Sequence, residues 1–559
     1  MLDHDDTSVK PAQVHHSSDL SSNIEQTRHA TIFCNFWSFR VPEALLAAKK
    51  LRTLRFFSPT NDSGKALPTI AAVFKHLRML DLSGCGIRSL HKSIGVLIYL
   101  RYVDLSNTPL ETLPNTIQNL CNLQTLDLSG CHSLMNLPNG ITRLTNLRHL
   151  IIKDCTRLTR TPASIRSLLN LQTLPVFIVG PAFDESLFQL VHLDLRGELK
   201  IKHLENVGSI VPILCLEKKQ LHSLVLSWGD DEANLQAWES GNSQDALTCL
   251  QRLTIIACPR LETMPQFPSL QHLELRNCNA RILKSAAELN SLSTLIIDSF
   301  PELLHLPQGL LQNSPLTSLT ISSCQQLSSL PWDLKNLGAL KSLTLRWCEE
   351  LCALPQQIRN LTSLESLEIT ECPHLVSLPE EGIRGLHSLR SLSIENCNNL
   401  ASLPKEIKHL TALERLTIMY CPNLPYLPDE LQHLSALQSL SILSCQVLAS
   451  LPEGLQYVKT LQNLEICSCP NLMDLPDWVE NLISLRSLAI TDCQNMKCLP
   501  KGLERLNALQ HLSIRDCPDL EERCKDGGAD WKKISHVPYI YIGSSASQQA
   551  TQCCCKHFK

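Results

Sequence analysis

The stretch LTALERLTIMYCPNLPYLPDELQHLSALQSLSILSCQVLASLPEGLQ, residues 410–456, contains one pattern twice. The motif L-x-x-L-x-I-x-x-C occupies residues 413–421 and returns at residues 437–445, an offset of 24 residues. A Leu-Pro dipeptide follows each copy at the same distance. Repetition at a fixed period fixes the architecture before other features are weighed, because each repeat is one structural unit that stacks on the next.

The same unit extends along most of the chain. Its consensus is L-x-x-L-x-[LI]-x-x-C-x-x-L-x-x-L-P-x-x-[LI]-x-x-L-x-x, with spacings mostly between 23 and 25 residues. Both the period and the pattern match the leucine-rich repeat. The repeats begin at Leu77, Leu100, Leu123, Leu147 and Leu171, and then at Leu250, Leu270, Leu292, Leu316, Leu340, Leu364, Leu389, Leu413, Leu437, Leu461, Leu485 and Leu509.

The pattern predicts an α/β fold, a leucine-rich-repeat solenoid. The L-x-[LI] segment alternates with a period of two, which indicates a short strand with one buried face. Strands of successive repeats should form a parallel sheet on the concave face of a curved horseshoe or superhelix of about 15 to 20 repeats. The return segments are short and should be extended or form single helical turns. Each repeat then buries its leucines against its neighbours.

Five segments are predicted along the chain. Residues 1–50 lack a clear period and are expected to form an N-terminal flank or cap. Residues 51–174 form a first block of repeats, and residues 175–249 contain irregular repeats and a polar loop. Residues 250–524 form a second, regular block. Residues 525–559 are expected to form a C-terminal cap, which solenoids need, followed by a polar tail.

Composition narrows the class of protein. The net charge of −4 over 559 residues does not suggest a nucleic-acid partner, which usually requires a strongly basic domain. We find no apolar run long enough for a transmembrane helix, and the polar N-terminus is unlike a secretory signal peptide. We therefore expect a cytoplasmic protein, with the nucleus as an alternative, and no membrane association.

Fourteen of the 25 cysteines share the ninth position of the repeat. Cysteine is small, readily buried and a weak S–H donor, so it can fill the turn after the strand and bond a carbonyl oxygen. A stack of disulfides or a metal ladder is the alternative, which a reducing compartment opposes. The predicted structural column comprises Cys85, Cys131, Cys155, Cys258, Cys278, Cys324, Cys348, Cys372, Cys397, Cys421, Cys445, Cys469, Cys493 and Cys517.

Two positions just before each cysteine are expected to be strand positions that face solvent on the concave side, where solenoids bind partners. They are richest in large and charged side chains in the middle of the second block, and aromatic residues and arginine are common anchors of protein interfaces. The alternative is ordinary variation of a sheet surface. The predicted partner-binding patch comprises Arg346, Trp347, Glu371, Glu395, Met419 and Tyr420.

The sequence shows no arrangement typical of catalysis. The motifs H-E-x-x-H, G-x-S-x-G and C-x-x-C do not occur, and no cluster of convergent catalytic groups is evident. We therefore expect no enzymatic activity, no cofactor and no metal. Cys553, Cys554 and Cys555 could accept palmitate, although a tail with incidental thiols is the simpler interpretation.

Several segments resemble one protein family. "LQTLPVFIVG" at residues 171–180 is followed by "LRGELKIKHLENV" at 195–207 and "EKKQLHSLVLSWGDD" at 217–231. The closing "DCPDLEERCKDGGADWKKISHVPYIYI" spans residues 516–542. With the Cys-containing repeats, these segments resemble the leucine-rich-repeat region of plant intracellular disease-resistance receptors of the coiled-coil, nucleotide-binding type. The resemblance covers roughly residues 27–542.

The resemblance implies a role in plant innate immunity. Its expected partners are a pathogen effector, a guarded host protein or a receptor's nucleotide-binding module. The P-loop motif G-x-x-x-x-G-K-[ST] of those receptors is absent from this sequence, so no nucleotide switch is expected within it. The main alternative is a standalone intracellular leucine-rich-repeat scaffold in signalling.

Overall fold

The structure is a computed structural model, and it divides into two units, residues 1–270 and 271–559. Each unit is described by itself. The described residues are 12–14, 24–33, 41–57, 66–180, 187–207, 216, 219–229, 247–307, 309–311, 315–331, 334 and 336–543.

The first unit contains eleven described strands, and β1 to β7 pair in chain order, each parallel to the next. Strands β8 to β11 form a second parallel run. The strands are Ala12–Val14 (β1), His29–Phe33 (β2), Thr53–Phe57 (β3), Met79–Asp81 (β4), Tyr102–Asp104 (β5), Thr125–Asp127 (β6), His149–Ile151 (β7), Val176–Ile178 (β8), Arg196–Lys202 (β9), Gln220–Ser227 (β10) and Arg252–Ile256 (β11).

The return segments of the first unit are mostly single turns of 3₁₀-helix. One α-helix, Leu67–Val73 (α1), replaces such a turn among the described residues of this unit. The 3₁₀ turns are Ile24–Gln26, Glu43–Ala47, Lys92–Val96, Asn115–Asn119, Asn139–Arg143, Ile165–Ser167, Leu187–Leu190 and Leu204–Asn206.

The interruption between β7 and β8 coincides with a proline. The last link from β7 is a bridge between His149 and Thr173. Pro175 follows two residues later, where the repeat pattern places a strand residue, and proline has no N–H to give to a sheet. The Pro175 carbonyl still accepts from Lys200 N–H at 2.8 Å, on the side where β9 lies. The parallel ladder therefore starts again at β8.

The second unit contains twelve described strands, each parallel to the next in chain order and paired residue for residue. They are His272–Arg276 (β12), Thr294–Asp298 (β13), Ser318–Ser322 (β14), Ser342–Arg346 (β15), Ser366–Thr370 (β16), Ser391–Glu395 (β17), Arg415–Met419 (β18), Ser439–Leu443 (β19), Asn463–Cys467 (β20), Ser487–Thr491 (β21), His511–Arg515 (β22) and Tyr539–Ile542 (β23).

Short helical turns also return the chain in the second unit. The described α-helices are Ile282–Ala286 (α2), Glu380–Ile383 (α3), Pro518–Cys524 (α4) and Trp531–Ile534 (α5). The 3₁₀ turns are Gln356–Asn360, Lys405–His409, Asp429–His433, Glu453–Tyr457, Asp477–Asn481 and Lys501–Arg505.

Alternation within the strands supplies the core. In β18 the side chains of Leu416 and Ile418 are fully buried, while those of Thr417 and Met419 are only partly buried. Full burial of one such aliphatic side chain is worth about 2 kcal/mol relative to exposure. The neighbouring strands β17 and β19 bury leucine and isoleucine at the same register. Each repeat thus completes the core of the next.

Proline and glycine allow the return segments to stack closely. Pro452 precedes the turn Glu453–Tyr457 with a φ of −70°, which the proline ring favours. A β-carbon on Gly454 would lie 1.9 Å from the Asp429 carbonyl oxygen of the preceding repeat. A side chain at residue 454 would therefore require a local backbone shift, whereas the same position of the neighbouring repeats holds Glu430 and Trp478.

The predicted α/β leucine-rich-repeat solenoid is confirmed. Parts predicted as irregular also contribute strands: β1 and β2 lie within residues 1–50, and β8, β9 and β10 lie within residues 175–249. Strand β23 extends the ladder into the predicted C-terminal cap. These strands escaped the consensus because their flanking segments lack its leucine spacing. The polar loop at 230–246 and the tail with Cys553, Cys554 and Cys555 lie outside the described residues.

Candidate functional site

A left-handed residue directly follows each of the strands β12 to β22. Its φ lies between +50° and +58°, a region that L-residues with side chains seldom adopt. We call this set the turn column, since it recurs once per repeat. Its members in the second unit are Asn277, Ser299, Ser323, Trp347, Glu371, Asn396, Tyr420, Ser444, Ser468, Asp492 and Asp516.

The turn column corrects one sequence prediction. The prediction places Trp347 and Tyr420 at strand positions, but both residues follow the ends of their strands, β15 and β18. Strict alternation from buried Ile418 would point residue 420 inward and Cys421 outward. Cys421 is instead fully buried and Tyr420 is 50% exposed. The left-handed turn reverses the alternation, so that aromatic side chains reach solvent while cysteines enter the core.

Backbone hydrogen bonds hold the turn column in register. The Trp347 N–H donates to the Thr370 carbonyl oxygen of the next repeat at 3.0 Å. The Tyr420 N–H donates in the same way to the Leu443 carbonyl at 2.8 Å. The ladder therefore continues one residue beyond each strand, and the side chains of the turn column are presented on a hydrogen-bonded backbone.

The fourteen cysteines of the predicted structural column are all buried. The Cys421 thiol lies 3.4 Å from the Met419 carbonyl oxygen and 3.9 Å from the Ile394 carbonyl oxygen. Burial raises the pKa of Cys421 to about 11 and the pKa of Cys445 to about 12. These two thiols are therefore protonated donors at neutral pH, and they are poor nucleophiles and poor metal ligands in this form.

One repeat of the first unit shows that a hydroxyl can serve in place of the thiol. Thr108 replaces cysteine there, and its hydroxyl donates to the Leu105 carbonyl oxygen at 2.7 Å. The same hydroxyl lies 3.4 Å from the Cys131 thiol of the next repeat. A small side chain with a donor therefore satisfies the position, whether that donor is a thiol or a hydroxyl.

The six residues of the predicted patch lie in two adjacent columns. Arg346, Glu395 and Met419 end strands, and the register aligns them in one row with Thr370. The other three, Trp347, Glu371 and Tyr420, belong to the turn column together with Asn396.

The two aromatic rings of the patch are separated from each other. Trp347 and Tyr420 are each 50% exposed. They lie three strand steps apart, about 14 Å at the usual spacing of parallel strands. Glu371 and Asn396 occupy the turn column between them. The rings therefore mark two ends of a surface and do not form one cluster.

Arg346 is not an open cation. Its guanidinium bonds Glu368 of the next strand, with Nε–Oε1 at 3.0 Å and Nη2–Oε1 at 2.5 Å. Sequence reasoning missed Glu368 because it considered only the two positions before each cysteine. The signal was present, since Glu368 occupies the x of the L-x-I strand motif one repeat later. Arg346 is thus held by an acidic neighbour.

An open polar groove of about 500 Å³ runs beside the turn column. Its lining includes Tyr420, Ser444, Gln446, Asp492 and Gln494. The Ser468 hydroxyl donates to Asp492 at 2.8 Å. The groove begins near one aromatic end of the predicted patch and offers hydrogen-bonding groups rather than an enclosed apolar cavity.

The described ranges were compared with the arrangements that hold a metal ion or cross a membrane. No group of three or more histidine, cysteine, aspartate or glutamate side chains there is placed to hold a metal ion. No helix in those ranges has the length and apolar character needed to cross a membrane.

Comparison with known families identifies the class of protein. The model of the family "Leucine-rich repeat region" matches residues 50–311 and 310–524, which is most of the chain. The chain therefore belongs to the leucine-rich-repeat region family. No curated protein matches it significantly.

Several solved leucine-rich-repeat structures are similar to this chain. A leucine-rich-repeat protein of Leptospira interrogans is 23% identical, with 90% of this chain and 99% of that chain covered and a TM-score of 0.41. The leucine-rich-repeat domain of the type III effector XopL is 29% identical over 43% of this chain and 81% of its own, with a TM-score of 0.38. The plant peptide hormone receptor RGFR1, solved with RGF2, is 17% identical over 96% and 97%, with a TM-score of 0.38. At these scores the neighbours say nothing about a ligand of this chain.

Proposed function

We propose that this chain is the protein-recognition module of a plant intracellular disease-resistance receptor. It binds a pathogen effector, a host protein or a receptor's nucleotide-binding module, and it does so in the cytoplasm without catalysing a reaction. The sequence resemblance at residues 171–231 and 516–542 supports the lineage. The family supports the mode of action, because leucine-rich repeats present extended surfaces for recognition.

The observation that carries the proposal is the pair of aromatic residues in the turn column. Left-handed backbone costs about 1–2 kcal/mol for an ordinary L-residue, and Asn, Asp and Gly tolerate it best. Trp347 and Tyr420 occupy it while each side chain remains half exposed. Strained residues with exposed aromatic rings are features of recognition sites more than of packing.

A standalone signalling scaffold is the second candidate. It would use the same surface, and the absence of a P-loop from the sequence is compatible with it. The two candidates differ in the partner. A receptor module contacts a nucleotide-binding module or a pathogen protein, whereas a scaffold contacts neither.

Site-specific photocrosslinking in plant cells tests the proposal. A photoreactive phenylalanine analogue replaces Trp347 in one variant and Tyr420 in another. The matched control replaces Tyr457, which is 60% exposed in the turn Glu453–Tyr457 on the return side. We expect crosslinked protein partners at positions 347 and 420 and none of these at 457.

The crosslinked partner then separates the two candidates. Recovery of a nucleotide-binding module or a pathogen protein supports the receptor, and recovery of other signalling proteins alone supports the scaffold. Equal crosslinking at all three positions would reject the predicted patch as a specific surface.

A further inference from the structure

We propose that the surface between Trp347 and Tyr420 binds a basic, extended protein segment whose lysine or arginine side chains lie on the two rings. This inference rests on the proposed function, because it assigns a chemical class of partner to the same surface.

The surface carries an excess of carboxylates. Glu349 and Glu350 follow Trp347 within two and three residues, and Glu371 is the next member of the turn column. Glu395 is the last residue of β17 and is in register with Thr370 of β16. The nearby guanidinium of Arg346 bonds Glu368, and the charge of that carboxylate offsets its own.

Two of these carboxylates lie between the rings without a cation. The Glu371 N–H donates to the Glu395 carbonyl oxygen at 2.9 Å, which makes their repeats direct neighbours. Glu395 accepts a hydrogen bond from the Ser393 hydroxyl at 2.8 Å. In the part of the chain that the structure describes, neither Glu371 nor Glu395 is ion-paired. Neighbouring like charges repel, so a cation bound between them is favourable.

The rings supply the second element of recognition. A guanidinium or ammonium group over the face of tryptophan or tyrosine is attracted by the ring quadrupole. Trp347 and Tyr420 are half exposed and lie about 14 Å apart along the turn column. An extended segment advances about 3.3 Å per residue, so cationic side chains four residues apart can reach both rings.

Other occupants fit the surface less well. An acidic segment or a nucleic-acid backbone would meet Glu371 and Glu395 directly. An apolar helix needs a continuous apolar stripe, and Glu371 and Asn396 interrupt the turn column between the rings. Charge complementarity therefore selects a basic segment.

The test uses the full chain and a labelled synthetic peptide, (Arg-Gly-Ser-Gly)₄, whose arginines recur every fourth residue. The control peptide (Gln-Gly-Ser-Gly)₄ has the same length and no charge. Binding is measured by fluorescence anisotropy at low ionic strength, where electrostatic attraction is least screened. We expect saturable binding of the arginine peptide and none of the glutamine peptide. Failure of the arginine peptide to bind at millimolar concentration would overturn the proposal.

Charge-matched variants decide whether the binding is local. The patch variant combines Glu371→Gln and Glu395→Gln. The control variant combines Glu430→Gln and Glu504→Gln on the return side, so both change the net charge equally. We expect at least tenfold weaker binding for the patch variant and a change below twofold for the control. Equal weakening in both would show diffuse attraction and overturn the proposal.

A third variant tests the rings. Trp347→Asn with Tyr420→Asn places a residue that tolerates the left-handed turn at both positions, and circular dichroism checks that the fold is retained. We expect at least fivefold weaker binding of the arginine peptide, and unchanged binding would contradict the role of the rings. Crosslinks from positions 347 and 420 to a partner's acidic or apolar segment would overturn this inference while leaving the proposed function standing.

Discussion

The turn that follows a strand is built differently in residues 77–158 of the first unit and in residues 340–424 of the second unit. In the first unit the left-handed position before Cys85, Thr108, Cys131 and Cys155 holds Gly84, Asn107, Gly130 and Asp154, all residue types that suit a positive φ. In the second unit the same position holds tryptophan, glutamate and tyrosine in three of four consecutive repeats, at Trp347, Glu371 and Tyr420. In the first case the residue types favour the left-handed backbone that they occupy, and in the second case they do not. Such disagreement is expected where a residue is retained for binding rather than for folding.

The largest loss of stability is expected at the C-terminal end of the second unit, at the buried carboxylate of Asp530. Asp530 is fully buried and bonds Lys533 Nζ at 2.7 Å and the Leu499 N–H at 3.1 Å. Removing the charge of Asp530 leaves Lys533 partly buried without its carboxylate, so Asp530→Asn should destabilise the second unit by about 3 kcal/mol. Urea denaturation measures this change. The control is Glu504→Gln, which changes an exposed carboxylate. If Asp530→Asn loses no more stability than this control, Asp530 does not stabilise the C-terminal cap.

The same carboxylate predicts an acid dependence. Burial acts to raise the pKa of Asp530, but hydrogen bonds from Arg523, Lys533 and the Leu499 N–H outweigh it and lower the pKa below its usual value. Its contribution is therefore complete above the unfolded pKa of about 4 and is lost as the pH falls through the lower, folded pKa. Thermal melts of the wild type and Asp530→Asn should converge only below about pH 4. A constant difference down to pH 2 would contradict this assignment.

A substitution in the first unit can place an unsuitable residue type at a left-handed position, as in the second unit. Gly130 has a φ of +70°, and a β-carbon there would lie 2.4 Å from Asn107 Oδ1. In Gly130→Val a β-branched side chain meets both the positive φ and the close approach of Asn107. The variant should therefore lower the free energy of unfolding of the first unit by about 3 kcal/mol. The matched control is Thr125→Val on the solvent side of β6, which should change the urea midpoint little. If both variants behave alike, the left-handed turn is not a constraint in the first unit.

The position after the turn should respond more weakly. Thr108→Val removes the hydroxyl that donates to the Leu105 carbonyl, with a cost of about 1 kcal/mol. Thr108→Cys restores the residue found in most repeats and should lose less. Urea denaturation of both variants ranks the donors, and a valine as stable as threonine would mean that the column needs only small volume.

The repeat pattern predicts the fold because leucine spacing determines both strand and core. It also contains the turn, since two unburied positions between Ile418 and Cys421 break the alternation of a strand. The interpretation of those positions as strand surface overlooks a signal in the sequence, because Asn, Asp or Gly precedes half of the column cysteines. The pairing of Arg346 with Glu368 depends on the register between repeats, which the single-repeat motif does not contain. Pro175 is visible in the sequence. Whether it interrupts the parallel ladder depends on whether the adjacent strand would accept a hydrogen bond from the N–H that proline lacks, and the sequence does not contain that pairing.

The most direct test of the central claim compares glycine with alanine at two adjacent columns. Both substitutions remove the side chain beyond the β-carbon. The difference in the free energy of unfolding between the two variants therefore reports chiefly the backbone conformation at that position. At Trp347 the left-handed turn should make the glycine variant more stable than the alanine variant by about 1 kcal/mol. At Met419, within β18, the glycine variant should be less stable by about 0.5–1 kcal/mol. Opposite signs in urea denaturation are the predicted result. Glycine less stable than alanine at both positions would contradict the account, because Trp347 would then occupy an ordinary strand.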